Sequence, residues 1–270
     1  MKSHSFIVSG GGTGGHIFPA VAIANAIRKR EPEAKILFVG ANGKMEMEKV
    51  PAAGYEIVGL NISGIKRSLS LSNLFVPIKL WKALRHASSI LKSFKPDAVI
   101  GVGGYASGAV LYSASGKGIP TLIQEQNSFP GITNRILSKR VNKICVAYDG
   151  MEKFFPPKKI IITGNPVRSE ILQPEINRTE AFKFFDLDET KFTVLVIGGS
   201  LGARSINEAM ANSVKRLTEN GIQVIWQTGK GNAENAKNAA SDAGTENVKV
   251  HEFIQRMDLA YACADLVVSR

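Results

Sequence analysis

The chain has 270 residues, 44% hydrophobic and 21% charged, a balance that excludes a disordered or low-complexity protein and leaves room for two domains. Its formal net charge of +11 attracts phosphate-rich partners such as nucleic acid, anionic lipid or nucleotide sugars without choosing among them. No apolar run reaches the ~18 residues of a transmembrane helix, and Cys145 and Cys263 lack metal-ligand spacing, so a reducing cytosol is the expected compartment.

The first element is a short strand, Phe6 to Ser9, running into Ser9-Gly10-Gly11-Gly12-Thr13-Gly14-Gly15-His16. A helix follows whose Ala20, Ile23, Ala24 and Ile27 share one face, with Pro19 placed in its first turn. Glycines let this loop approach a ligand closely, and N–H groups at a helix start attract negative charge, so the loop suits a phosphate or a sugar. Gly10, Gly12 and Gly15 also satisfy the dinucleotide pattern, but the second strand, Ile36 to Val39, ends in Gly40-Ala41-Asn42 without the carboxylate that holds a ribose. His16 is the loop's one acid/base group near neutral pH, read either as a cap or packed residue or as a general base.

From Ile65 to Arg85, Lys66, Arg67, Lys79, Lys82 and Arg85 alternate with Leu69, Leu71, Leu74, Phe75, Ile78 and Trp81. Such a mixture can dip apolar side chains below lipid headgroups while cations hold anionic lipid, and Leu74, Phe75 and Trp81 are the membrane candidates. Leu80, Leu84 and Leu91 continue as the core face of a helix.

Strands then recur at Ala98 to Val102, Thr121 to Gln124, Ile144 to Ala147 and Ile160 to Thr163, alternating with helices. The pattern predicts an α/β fold, a doubly wound parallel sheet covered on both faces. The domain boundary falls near Gly164. After a polar stretch the pattern restarts at Val194 to Ile197, with strands at Val224 to Gln227, Val248 to Val250 and Leu266 to Ser269 and helices from about Ser205, Asn232 and Arg256. The sequence ends directly after a strand whose crossover has not come, so a longer parent protein and an unfinished second sheet are expected.

Three more clusters, Gly103-Gly104-Tyr105, Glu125-Gln126-Asn127 and Gly198 to Arg204, lie at C-terminal strand ends, where open α/β sheets bind ligands. Asp186-Leu187-Asp188 matches the metal-binding pair of some glycosyltransferases, but precedes its strand and reads as a solvated turn.

Together with Gly11 to His16 and Gly164-Asn165-Pro166-Val167-Arg168, these clusters make the whole chain resemble the MurG family. Its members transfer N-acetylglucosamine from UDP to undecaprenyl-pyrophosphoryl-N-acetylmuramoyl-pentapeptide in peptidoglycan synthesis. The resemblance implies a GT-B architecture, two Rossmann-like domains facing a cleft. Residues 1–164 would bind the lipid acceptor and the membrane, and 165–270 the UDP-sugar. By position, Thr13, Gly14, Gly15 and Asn127 would approach the donor from the first domain and Arg168, Ser200 and Ile254 from the second. Tyr105 and Glu125 would serve the acceptor, and His16 would be the general base of an inverting, metal-free displacement by the muramoyl 4-hydroxyl. The implied place is the cytoplasmic face of the membrane, as a peripheral protein with UDP-GlcNAc, the lipid-linked acceptor and an anionic surface as partners.

Two departures stand out. Gln124 replaces the histidine that often precedes Glu-Gln-Asn, and the family's ribose-gripping carboxylate and a later glutamine lie past Arg270. The alternatives are therefore another GT-B lipid glycosyltransferase or a substrate-binding fragment without turnover. A nucleic-acid binder ranks last, because neither zinc-finger spacing nor an RNA-binding aromatic signature is present.

Overall fold

The structure is a computed structural model and describes residues 3–62, 76–167, 177–199 and 201–269. The chain forms two compact units, Met1–Arg168 and Ser169–Arg270.

In the first unit a seven-stranded parallel sheet has the order β3-β2-β1-β4-β5-β6-β7. Its strands are β1 (Ser5–Gly10), β2 (Lys35–Ala41), β3 (Glu56–Leu60), β4 (Ala98–Gly103), β5 (Thr121–Glu125), β6 (Lys143–Val146) and β7 (Ile160–Ile162). The helices are α1 (Gly14–Arg30), α2 (Glu46–Ala52), α3 (Val76–Phe94), α4 (Tyr105–Gly116) and α5 (Ile132–Leu137). Alternation along the strands feeds two cores. Ile7, Leu37, Val39, Val99 and Ile123 pack under α3, α4 and α5, while Val8, Ile36, Phe38 and Ile100 pack under α1 and α2. Each fully buried side chain of this kind stabilises the fold by roughly 1.5–3 kcal/mol. Strand order reverses between β1 and β4, so the loops leaving their C-terminal ends diverge around a crevice.

Sequence patterning missed β3. Its short Glu-Ile-Val-Gly-Leu run contains a glycine, yet it pairs with β2 from Leu37↔Glu56 to Ala41↔Leu60. A Cβ on Gly59 would lie 1.7 Å from Asn42 Oδ1, so the strand needs glycine beside that amide. A second correction concerns Pro19. Helix α1 starts at Gly14, so Pro19 sits past the first turn and brings no N–H to the carbonyl of Gly15.

The second unit holds a four-stranded parallel sheet, order β10-β9-β8-β11. It comprises β8 (Thr193–Ile197), β9 (Gln223–Gln227), β10 (Val248–His251) and β11 (Leu266–Ser269), with α6 (Arg178–Phe185), α7 (Arg204–Glu219), α8 (Ala233–Ala243) and α9 (Met257–Cys263). Helix α6 lies within the stretch expected to be merely polar. Asn177 caps it by accepting the Thr179 N–H at 3.0 Å, and Ala181, Phe182 and Phe185 enter a core with Leu195, Ile225 and Leu259. Cys263 belongs to this core, and burial pushes its thiol up to about 11, leaving it protonated at neutral pH. The Asp186-Leu187-Asp188 carboxylates serve the turn before β8. Asp186 pairs with Lys249 at 2.8 Å, and Asp188 accepts the Thr190 N–H at 2.9 Å. Strand β11 pairs with β8, and Leu266, Val267 and Val268 along it are exposed.

Candidate active site

The first glycine loop leaves β1 and enters α1 with Thr13 as the residue before the helix. His16, in the first turn, places Nδ1 3.0 Å from the Gly11 carbonyl oxygen. A carbonyl can only accept, so Nδ1 carries the hydrogen, and in the neutral imidazole Nε2 keeps a free lone pair. That Nε2 lies over Gly103, where a Cβ would come within 2.8 Å of it, and Gly103 also has φ +109°, a region that favours glycine. Next to it, Gly104 at φ +91° leaves its would-be Cβ 2.8 Å from the Gly11 carbonyl oxygen. The loops following β1 and β4 thus interlock backbone against backbone.

A cavity of about 300 Å3 opens here, shared by Thr13, His16, Tyr105, Lys44 and Glu46. Tyr105 is exposed at the start of α4, so the cavity joins an acid/base group to a phenol. Glu46 belongs to none of the sequence motifs. It is buried, accepting the Gly12 N–H at 2.9 Å and the Ala41 N–H at 3.0 Å. Gly11 and Gly40 must lack side chains to admit it, since Cβ atoms there would fall 2.1 Å and 2.6 Å from its atoms. Nothing in Met45-Glu46-Met47-Glu48 marks the first glutamate as the buried one.

Glu125 lies at the end of β5, 1% exposed. One of its oxygens accepts the backbone and side-chain N–H groups of Asn127, each at 3.0 Å. The other accepts the Gly131 N–H at 3.1 Å and the Asn134 amide at 2.9 Å. The carboxylate therefore positions the exposed Asn127 and shapes the loop to α5. Gln124, where histidine was the family expectation, donates to Asn165 at 3.3 Å and accepts from Gln126, while Asn165 donates to the Gln126 carbonyl at 3.2 Å.

In the second unit the glycine loop between β8 and α7 turns through Gly199 at φ +81° and Gly202 at φ +78°. A Cβ on Gly202 would meet the Thr228 carbonyl at 1.9 Å. Buried Gln227 donates to the Gly199 carbonyl at 3.0 Å and accepts the Ile254 N–H at 2.9 Å. Ile254 thus comes beside the loop with its side chain in the core and its N–H engaged. Asn207, also missed from sequence, donates to the Thr228 carbonyl at 2.8 Å and accepts the Trp226 indole N–H at 3.0 Å.

Trp81 is exposed on α3 with the Arg85 guanidinium 4.8 Å from its ring centre. Leu74, Phe75, Arg168 and Ser200 lie outside the described residues. Among the described residues no group of three or more His, Cys, Asp or Glu side chains could hold a metal ion, and no helix is long and apolar enough to cross a membrane.

Family models for the N-terminal and C-terminal domains of glycosyltransferase family 28 match residues 6–146 and 193–270. Two Rossmann-like units carrying glycine loops at their C-terminal strand ends are thus those of a GT-B glycosyltransferase. The chain is 55% identical over 270 residues to the UDP-N-acetylglucosamine–N-acetylmuramyl-(pentapeptide) pyrophosphoryl-undecaprenol N-acetylglucosamine transferase of Flavobacterium psychrophilum, covering 100% of this chain and 73% of the relative. It is 52% identical, with the same coverage, to the transferase of that name from Parabacteroides distasonis. The crystal structure of Acinetobacter baumannii MurG matches with TM-score 0.69 at 29% identity, over 99% of this chain and 73% of that one. A UDP-GlcNAc 2-epimerase from Neisseria meningitidis, bound to UDP-GlcNAc, shares the fold at TM-score 0.70 and 14% identity, over 98% of this chain and 77% of its own. The chain belongs to the MurG family of N-acetylglucosaminyltransferases.

Proposed function

We propose that the chain transfers N-acetylglucosamine from UDP-GlcNAc to the 4-hydroxyl of a lipid-linked N-acetylmuramoyl-pentapeptide, with inversion at the anomeric carbon. The observation that carries the mechanism is His16. Its Nδ1–H is anchored on the Gly11 carbonyl, and its Nε2 remains as a base beside a cavity shared with Thr13 and Tyr105. The acceptor oxygen attacks the anomeric carbon as the bond to the diphosphate breaks. Nε2 takes the hydroxyl proton, and UDP departs with the bonding pair.

The first unit handles the acceptor, with Tyr105 beside the base and Glu125 holding the loop. Thr13, Gly14, Gly15 and Asn127 serve the donor. The second unit binds the UDP-sugar, using Arg168, Ser200 and the Ile254 carbonyl. Charge on the leaving diphosphate is met by N–H groups at the start of α7, so the reaction proceeds without a metal. Trp81, with Leu74 and Phe75, rests on an anionic membrane surface, which suits a peripheral protein at the cytoplasmic face.

The test is transfer of radiolabelled N-acetylglucosamine to the lipid-linked acceptor, run with and without chelator. His16→Ala should lower kcat by about 10²–10⁴-fold while UDP-GlcNAc affinity stays put. Folded protein extended past Arg270 to the length of its relatives that ignores authentic acceptor would overturn the substrate assignment. Activity abolished by chelator and restored by a divalent cation would overturn the metal-free step.

A further inference from the structure

A second cavity, of about 550 Å3, lies next to the one holding His16. Ile62 lines both. Among the described residues its polar lining is Lys79, Lys82 and His86 from α3 and Asn42 and Asn61 at the ends of β2 and β3. The two amides are joined, Asn42 donating to Asn61 at 2.6 Å. Residues 79, 82 and 86 follow i, i+3, i+7 spacing, so one stripe of the helix turns three basic side chains toward one cavity. No carboxylate lines it among the described residues, and none of those three side chains pairs with a described carboxylate. The size suits a small ligand and the chemistry suits an anion with several oxygens.

The adjacent glycine loop is a poorer place for the same anion. Its Gly12 N–H is already given to the Glu46 carboxylate, and Glu46 also lines the His16 cavity. A second anion beside that carboxylate would meet like charge at short range. The next stripe of α3 carries exposed Ile78 and Trp81, with Arg85 against the indole. A cationic cavity thus lies between a base on one side and an apolar, membrane-suited helix face on the other.

We propose that this cavity is a diphosphate site, holding the pyrophosphate of the lipid-linked acceptor while the sugar reaches His16 and the prenyl chain leaves along Ile78 and Trp81. The proposal rests on the acceptor reading above. The shared chemistry is a phosphate ester, which the headgroup of an anionic phospholipid could also supply, and the experiment separates the two.

Farnesyl diphosphate is titrated into the protein in detergent free of phospholipid, with farnesol as the phosphate-free control. The Lys79→Ala/Lys82→Ala variant is compared with Lys92→Ala, which removes an exposed cation of the same helix outside the cavity. Affinity for farnesyl diphosphate should fall on the order of 10-fold in the double variant and hold in Lys92→Ala. Farnesol binding should not change. In the transfer assay KM for the lipid acceptor should rise by a similar factor, with KM for UDP-GlcNAc unchanged. Equal diphosphate affinity in wild type and double variant overturns the site. So does loss confined to binding of anionic phospholipid vesicles, which makes the cavity a headgroup site. If folded protein extended past Arg270 to the length of its relatives shows no transfer, the acceptor reading fails, and the farnesyl diphosphate titration still decides whether the cavity binds a diphosphate.

Discussion

Glu46 holds the backbone N–H of Gly12 at 2.9 Å from a buried position. The same carboxylate takes the Ala41 N–H, so it ties the first glycine loop to the end of β2. Through Gly11, whose carbonyl accepts from His16 Nδ1, it bears on the proposed base. Glu46→Ala leaves two N–H groups without an acceptor, which costs about 1–3 kcal/mol for each that stays buried. The expected outcome is a lower unfolding midpoint together with a fall in kcat larger than any change in KM for UDP-GlcNAc. Wild-type kcat in a destabilised variant would make Glu46 a purely structural group.

Gly103→Ala tests the space over the imidazole. The new Cβ would lie 2.8 Å from Nε2, on a backbone with φ +109°. His16 must swing aside, and turnover should drop about 10²-fold, since a misplacement of ~1 Å is enough for that. UDP-GlcNAc binding, measured by equilibrium titration, should remain. Normal kcat would remove Nε2 from the base position.

Glu125→Ala distinguishes a positioning group from an acceptor contact. Four donors lose their acceptor, and the expected loss of stability is about 3 kcal/mol, read from chemical denaturation. KM for the donor should rise as Asn127 is released. A variant of wild-type stability with only acceptor KM raised would mean that Glu125 meets the acceptor directly.

Acid stability of the second unit depends on Asp265. Its carboxylate accepts the Thr193 N–H and the Arg178 guanidinium, each at 2.8 Å, joining α6 and β8 to the start of β11. Partial burial pushes this carboxyl up, but the Thr193 N–H and Arg178 together outweigh it and hold the group below its ordinary 3.8. A lowered folded value means stability that is fully present above the unfolded value and lost as pH falls through the folded one. Asp265→Asn should cost about 1 kcal/mol at pH 7, and the gap to wild type should close below the carboxylate range. A gap unchanged between neutral pH and acid contradicts this account.

Membrane contact is tested on exposed positions, where folding is not at stake. Ile78→Ser/Trp81→Ser removes both apolar side chains from the outer stripe of α3. Co-sedimentation with anionic phospholipid vesicles should weaken by about 100-fold or more, since each large apolar side chain contributes about 1.5–3 kcal/mol when buried. Undiminished sedimentation would place the bilayer elsewhere.

Strands whose β-branched runs are unbroken, such as Val194 to Ile197, could be read directly, because burial on both faces of a parallel sheet demands such runs. Strand β3 escaped because Gly59 interrupts its run. Helix α6 escaped because only Ala181, Phe182 and Phe185 of its residues are buried. The glycine loops announced themselves by composition, since their turns require φ values that other residues resist. Glu46, Gln227 and Asn207 did not, because nothing local separates a buried polar side chain from its solvated neighbours. Their partners Gly12, Ile254 and Thr228 lie 34, 27 and 21 residues away in sequence, distances only the folded sheet closes.

The contact of Gly104 with the Gly11 carbonyl leaves no slack between the loops after β1 and β4. They behave as meshed teeth. A side chain added at Gly103 would strike the His16 imidazole, and one added at Gly104 would strike the Gly11 backbone. Neither loop can be redesigned without refitting the other.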